Sequence, residues 1–253
     1  MKKYSILFLF LALCSGAFAQ GFDFTDGAGT HHIGLNVGFS ANPLRERSSV
    51  MDSTLSAVTR PYGLKVGFVY ETTFIKGFGM QLGLNYTFGS SQGKWTDTPN
   101  STIKKTKTDI YYHQIELPID WQYKFEIAKQ TYLILYTGPT LQMGLAFNQR
   151  TSVRDINPST FKEETTSSSK DFYSKTTDID GDGVYDYHRF NVTWGVGAGF
   201  QYKQYYLRGG YDFGICNPYN DRYFNHSIST YEFNRKGRQD QWSLKLGIYL
   251  WNF

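Results

Sequence analysis

The chain is poor in the features that usually declare a fold or an active site. Its longest apolar run, residues 6–13, is far shorter than the ~20 residues a membrane-crossing helix needs. It has only 2 cysteines, Cys14 and Cys216, too few for a disulfide framework once the start of the chain is removed. Cys216 on this reading is a small core or wall residue. Its formal charge is only +4 and its charges are scattered, so no basic patch points to nucleic acid. The five histidines, His31, His32, His113, His188 and His226, share no zinc-site or Ser-His-acid spacing, and no enzymatic function is expected. His188 and His226 are expected in loops or at an outer rim.

Residues 1–19 have the form of an export signal. Lys2 and Lys3 precede the short apolar run, and Ala17-Phe18-Ala19 offers a small-x-small cleavage site, leaving residues 20–253 as one domain. Lipidation at Cys14 is disfavoured because bulky Leu13 stands just before it.

Aromatic residues and glycine are abundant, with 20 Tyr, 20 Phe and 25 Gly. They fall into a period-two pattern that recurs eight times and predicts eight strands. Ile33, Leu35, Val37 and Phe39 form the first apolar face. Tyr62, Leu64, Val66, Phe68 and Tyr70 form the second, and Met80, Leu82, Leu84, Tyr86 and Phe88 the third. Ile115, Leu117, Ile119, Trp121 and Tyr123 follow. The fifth segment, about 132–148, carries Leu141, Met143, Leu145 and Phe147, with a phase break and expected bulge near Gly138-Pro139. The sixth carries Val192, Trp194, Val196 and Phe200, the seventh Tyr205, Leu207, Tyr211 and Phe213, and the eighth Trp242, Leu244, Leu246, Ile248 and Leu250. Each is expected to run ~10–15 residues, enough for a tilted strand to cross a hydrocarbon layer.

The opposite face mixes glycine with charged and amide side chains. An eight-stranded barrel is too narrow to hold the aromatic face, so that face is expected to point outward to lipid. Link lengths support this. The links near 75–77, 126–130 and 203–204 are short, whereas those near 41–60, 90–107, 149–187 and 216–238 are long. Short turns alternating with long loops are the pattern of an outer-membrane barrel, and a sandwich has no reason to show it. The expected fold is an all-β, eight-stranded antiparallel up-and-down transmembrane β-barrel in a Gram-negative outer membrane. Outer-membrane lipid would be its first partner. Tyr111, Tyr112, Trp121, Trp194, Tyr202, Tyr205, Trp242 and Trp251 are expected to form interfacial girdles. Trp251 and Phe253 lie out of phase with Leu250, which requires a bend or a bulge there.

The stretch Ile115-Glu116-Leu117-Pro118-Ile119-Asp120-Trp121-Gln122-Tyr123-Lys124-Phe125, followed by Tyr136-Thr137-Gly138-Pro139, resembles the PorT-like outer-membrane β-barrel (porin) family of Bacteroidetes. Tyr211-Asp212-Phe213-Gly214-Ile215-Cys216-Asn217 is similar to a segment near the end of such proteins. The final aromatic residue resembles a barrel-assembly signal. The family resemblance implies an eight-stranded barrel, and its founding member is linked to protein secretion.

Two groups of residues carry candidate chemistry. In the longest loop, Asp178, Asp180, Asp182 and Asp186 alternate around Gly181 and Gly183, and Val184 could add a backbone carbonyl. Such spacing lets hard oxygens converge on Ca²⁺, although Arg189 stands where a bidentate glutamate would complete the set. A solvated acidic turn is the competing reading. The other group is a balanced set of inward charges: Lys65, Glu71, Glu116, Asp120, Lys124, Arg189, Arg208, Asp212 and Lys245. Mutual pairing would plug the interior. The expected function is a non-enzymatic barrel whose long loops engage surface or secretion-machinery proteins. The alternative is a small pore or transport barrel.

Overall fold

The computed structural model describes residues 29–41, 44–46, 62–97, 104–156, 162–174, 187–218 and 237–252. These contain strands β1 (His31–Ala41), β2 (Leu44–Glu46), β3 (Tyr62–Ile75), β4 (Phe78–Gln92), β5 (Thr96–Asp97) and β6 (Lys105–Ala128). They continue with β7 (Thr131–Ile156), β8 (Glu163–Asp171), β9 (Phe190–Tyr202), β10 (Tyr205–Gly214), β11 (Gly237–Gln239) and β12 (Gln241–Asn252). No helix among the described residues is long and apolar enough to cross a membrane.

Eight of the strands close on themselves. The order β6-β4-β3-β1-β12-β10-β9-β7 is completed by pairing of β6 with β7, and every ladder is antiparallel. Three tight turns, at 76–77, 129–130 and 203–204, gather at one end together with the start of β1 and the end of β12. Gly77, Gln130 and Lys203 adopt positive φ there, the backbone that lets a two-residue link reverse a twisted pair.

The alternation seen in the sequence becomes an inside-out protein. Leu64 and Phe68 are each 63% exposed on the outer surface, while Lys65 between them is 1% exposed. The same parity holds along β4, β6, β9 and β10. An apolar exterior of this extent is at equilibrium only in hydrocarbon, and closure leaves no unpaired edge in it.

Two expectations need correction, and the bend or bulge expected near Leu250 is a bulge. There is no bulge at Gly138-Pro139: the β6–β7 register is unchanged from Pro118↔Thr140 to Trp121↔Thr137. The apparent phase break arises because Ile134 and Tyr136, apolar though they are, face inward. The shifts on that ladder fall elsewhere, near Leu145 between His113↔Ala146 and Gln114↔Gly144, and beside the tight turn between Glu126↔Tyr132 and Ala128↔Thr131. At the end of β12 a bulge at Leu250 separates Ile33↔Trp251 from Gly34↔Tyr249, so Leu250 and Trp251 both face outward and Tyr249 inward. Finally, β6 and β7 have 24 and 26 residues, well beyond 10–15. Much of the links expected at 90–107 and 149–187 is therefore strand, because cross-strand hydrogen bonding persists past the apolar belt.

Candidate functional site

The interior is a connected polar network. Lys65 Nζ bonds Glu116 Oε2 at 2.5 Å, with both side chains 2% exposed. Glu116 also accepts from Thr87 Oγ1 at 2.7 Å, Gln114 Nε2 at 2.6 Å and Gln241 Nε2 at 3.3 Å. Gln142 donates to Gln241 at 2.9 Å and accepts from Asn191 at 2.9 Å, extending the network across the barrel. Nearer the short-turn end, Lys124 pairs with Glu71 and donates to Gln201 at 2.8 Å. Tyr249 donates to Glu71 at 2.5 Å. Arg208 lies 3.5 Å from Asp120, bonds Gln81, and stacks 4.0 Å from the centre of the Tyr136 ring. These three ion pairs offset the cost of taking six charges out of water.

Four tyrosines complete the plug: Tyr112, Tyr136, Tyr206 and Tyr249, none more than 6% exposed. Each sits directly opposite a glycine on the adjoining strand, in the pairs Gly89↔Tyr112, Gly197↔Tyr136, Gly247↔Tyr206 and Gly34↔Tyr249. A Cβ at Gly89, Gly197 or Gly247 would collide with the ring beside it. The glycines of the inner face thus make room for aromatic rings. Aromatic bulk inside so narrow a barrel, which the alternation argued against, is accommodated by this pairing, and Tyr112 belongs to the plug rather than a girdle.

At the opposite end from the tight turns, β6 and β7 rise past the belt as an external sheet. β5 continues the line of β4 along one flank of β6, and β8 adds to the far flank of β7 above the end of β9. Two of its ion pairs are solvated: Lys104–Asp155 at 3.1 Å is 50% and 46% exposed, and Arg154–Glu163 at 3.6 Å is similar; Lys107–Asp109, at 3.0 Å, is more enclosed. Where the sheet leaves the barrel, Phe147, Phe172, Tyr173 and Tyr187 form an aromatic knot with ring centroids 4.6 to 6.0 Å apart. Tyr187 N–H donates to Phe172 O at 3.3 Å, pinning the two chain segments together. Burial pushes the Tyr173 phenol up to about 12, against the opposing effect of Arg189 nearby. A second rim cluster surrounds Asp240. It accepts from Tyr211 OH at 2.5 Å, Gly214 N–H at 3.0 Å and Arg238 at 2.7 Å. Burial alone would raise its pKa, but these donors outweigh it and hold the carboxyl below its ordinary value.

Of the inward charges expected from the sequence, eight are where the parity places them. Lys65, Glu71, Glu116, Asp120, Lys124, Arg208, Asp212 and Lys245 all lie on inner-face positions. Arg189 does not. It precedes β9, is exposed, and turns to the aromatic knot, donating to Leu145 O at 3.1 Å and stacking 5.0 Å from the Tyr173 ring. Asp178, Asp180, Asp182, Val184 and Asp186 lie outside the described residues, between Ser174 and Tyr187. Among the histidines, His188 is exposed at the outer rim and its N–H donates to Pro218 O. His31 bonds Tyr70 at 2.8 Å, and His113 bonds Tyr86 on the outer surface. The described residues contain no cluster of three or more metal-ligating side chains.

The profile of a family described as outer membrane protein beta-barrel domain matches residues 18–220. No curated protein matches the chain. Among solved structures, the attachment invasion locus protein Ail of Yersinia pestis, in complex with the heparin analogue sucrose octasulfate, is 11% identical with a TM-score of 0.36. That similarity covers 89% of this chain and 99% of that one. Neisserial surface protein A is 13% identical with a TM-score of 0.36, over 85% and 96% of the two chains. The N-terminal β-barrel domain of Pseudomonas aeruginosa OprF is 10% identical with a TM-score of 0.26, over 84% and 97%.

Proposed function

The chain belongs to the outer membrane protein beta-barrel domain family and sits in the outer membrane, and from that premise we propose that it is a non-enzymatic, non-conducting anchor. Its working surface is the external sheet of β5, β6, β7 and β8 with the loops around it. One observation carries this reading: the interior is filled by three ion pairs, their amide partners and glycine-seated tyrosines, while the polar strands continue well outside the belt. Its partners are proteins of the cell surface or of a secretion assembly. A PorT-like place among Bacteroidetes barrels is the form of this reading that the segments around Glu116 and Asp212 favour. Export would use residues 1–19 as a cleaved signal.

Two measurements test it. A membrane-impermeant maleimide should label a Ser168→Cys, Cys216→Ser variant on intact cells, and refolded protein in planar bilayers should give no steady current. Failure to label, or a sustained open-channel current, overturns the reading. The acidic loop is proposed to bind Ca²⁺ through Asp178, Asp180, Asp182, Asp186 and the Val184 carbonyl, ordering the segment between Ser174 and Tyr187. Calorimetry of the wild type should show calcium-dependent heat that Asp180→Ala abolishes; a wild type without such heat retires the site.

A further inference from the structure

The external sheet ends on a strand built to be paired. β8 is nine residues long, runs in unbroken register with β7 from Asn148↔Asp171 to Ile156↔Glu163, and among the described residues stands last in the sheet order. Residues 163–169 are exposed throughout. Exposed edges are usually blunted by proline, a bulge or charged side chains. β8 has no proline and no bulge, and its four charges, Glu163, Glu164, Lys170 and Asp171, stand at its two ends, leaving the five central residues, Thr165 to Ser169, uncharged.

We propose that β8 pairs with β8 of a second copy of this chain, in antiparallel register and from an opposing membrane. The inference rests on the external placement of this sheet proposed above. Residues opposite each other in an antiparallel pair present their backbone groups the same way, and those groups alternate along a strand. For a strand meeting its own copy, the residue numbers of each pair must therefore sum to an even value. The register that uses all nine residues centres on Ser167 against Ser167 of the second copy. It sets Glu164 opposite Lys170 twice, and Thr165 and Thr166 opposite Ser169 and Ser168. Opposite charges and hydroxyl pairs are favourable neighbours across a ladder. Shifting by two in either direction loses both ion pairs.

Glu164 lies opposite Asp155 on β7, which Lys104 already holds at 3.1 Å; Lys170 of a second copy, placed over the Phe172 ring in its own chain, would bring Glu164 a cation from the other side. The two remaining end pairs set Glu163 against Asp171. Each already has a partner within its own chain, Arg154 for Glu163 and the Tyr173 N–H for Asp171.

The symmetry fixes the setting. A two-fold relating antiparallel strands of one sheet is perpendicular to that sheet. This sheet continues the barrel wall, whose tangent plane contains the barrel axis. The two-fold therefore lies in the membrane plane and inverts the second barrel, so the copies face each other from two membranes. From Leu145 to Ser152, which stands opposite Ser167, β7 runs about 23 Å at ~3.3 Å per residue, a rise of roughly 18 Å for a strand tilted by ~40°, which keeps the pairing clear of either hydrocarbon surface.

The test uses refolded full-length protein in two populations of vesicles carrying different dyes. Wild-type vesicles should co-flocculate. Glu164→Lys vesicles alone, or Lys170→Glu vesicles alone, should flocculate more weakly by on the order of tenfold, since two cross-strand pairs turn repulsive. Mixing the two variants should restore wild-type behaviour, because each then meets its complement. In a Cys216→Ser background, Ser167→Cys should form a disulfide between the two populations, as opposed residues of an antiparallel pair lie within disulfide reach. No flocculation by wild type, no response to the charge changes, or no rescue on mixing would each overturn the proposal. So would protection of the thiol introduced by Ser167→Cys only by an added unrelated extended peptide, which would assign the edge to another polypeptide. Surface labelling at position 168 on intact cells is unaffected by these outcomes, so failure here is separable from failure of the external reading.

Discussion

Lys65–Glu116 inside the barrel and Lys104–Asp155 on the external sheet are the same chemical contact held by the same kind of antiparallel ladder. They differ in solvent. The first pair has lost its water and is held by additional bonds from Thr87, Gln114 and Gln241; the second is half exposed. A buried pair is costly to assemble and more costly to break singly, whereas a solvated pair hardly registers either way. The barrel therefore draws its rigidity from polar groups, a reversal of what a water-soluble domain does. The external sheet, built from the same residue types, is free to present them.

The sharpest way to break that contrast is Glu116→Ala. It strands Lys65 in the interior and removes the acceptor for three other side chains. We expect a loss of about 3–5 kcal/mol in urea unfolding of refolded protein, with loss of the heat-modifiable band on gels. Gly197→Leu should cost less, about 1–3 kcal/mol, because it displaces the Tyr136 ring and with it the stack on Arg208. The rim is intermediate in character. Asp240 has a lowered folded-state pKa, so its contribution is present above the ordinary aspartate value and fades as pH falls through the lower folded value. Asp240→Asn should remove on the order of 1 kcal/mol at neutral pH and flatten stability against pH below about 4. At the other extreme, Lys104→Gln should change the unfolding midpoint by less than about 0.5 kcal/mol, and a larger loss would mean the external pairs are less solvated than their exposure implies.

How much of this was legible depended on how local each signal is. Strand number, inward parity and the positions of the tight turns follow from neighbours two or three residues apart, and they were readable from Leu64-Lys65-Val66 or from Lys203-Gln204 alone. The tyrosine plug was not, because seating Tyr112 depends on Gly89 arriving opposite it, and that register is set by the whole β4–β6 ladder. Arg189 was misplaced because parity was extended one residue past the start of β9, where the chain turns toward Tyr173. The Ser/Thr run of β8 has no apolar alternation to announce a strand; only pairing with β7 makes it one. The Asp-rich segment was legible as a motif, and the chain on either side of it is pinned by an aromatic knot whose three segments, at Phe147, Phe172-Tyr173 and Tyr187, no short spacing links.

The seam between β1 and β12 carries a consequence for how the molecule comes into being. It joins His32 to Asn252, the first and last described strands, and so encloses everything between them in a single circuit. Until β12 is in hand, the wall is a strip with two raw borders, and no shorter piece of it can be sealed. Contacts so far apart in sequence form slowly, so the unfinished strip must be kept apart from its own kind throughout the wait. Assembly is then an all-or-nothing event decided by β12. A chain cut anywhere upstream of it would yield no smaller barrel, only an open sheet in search of a border.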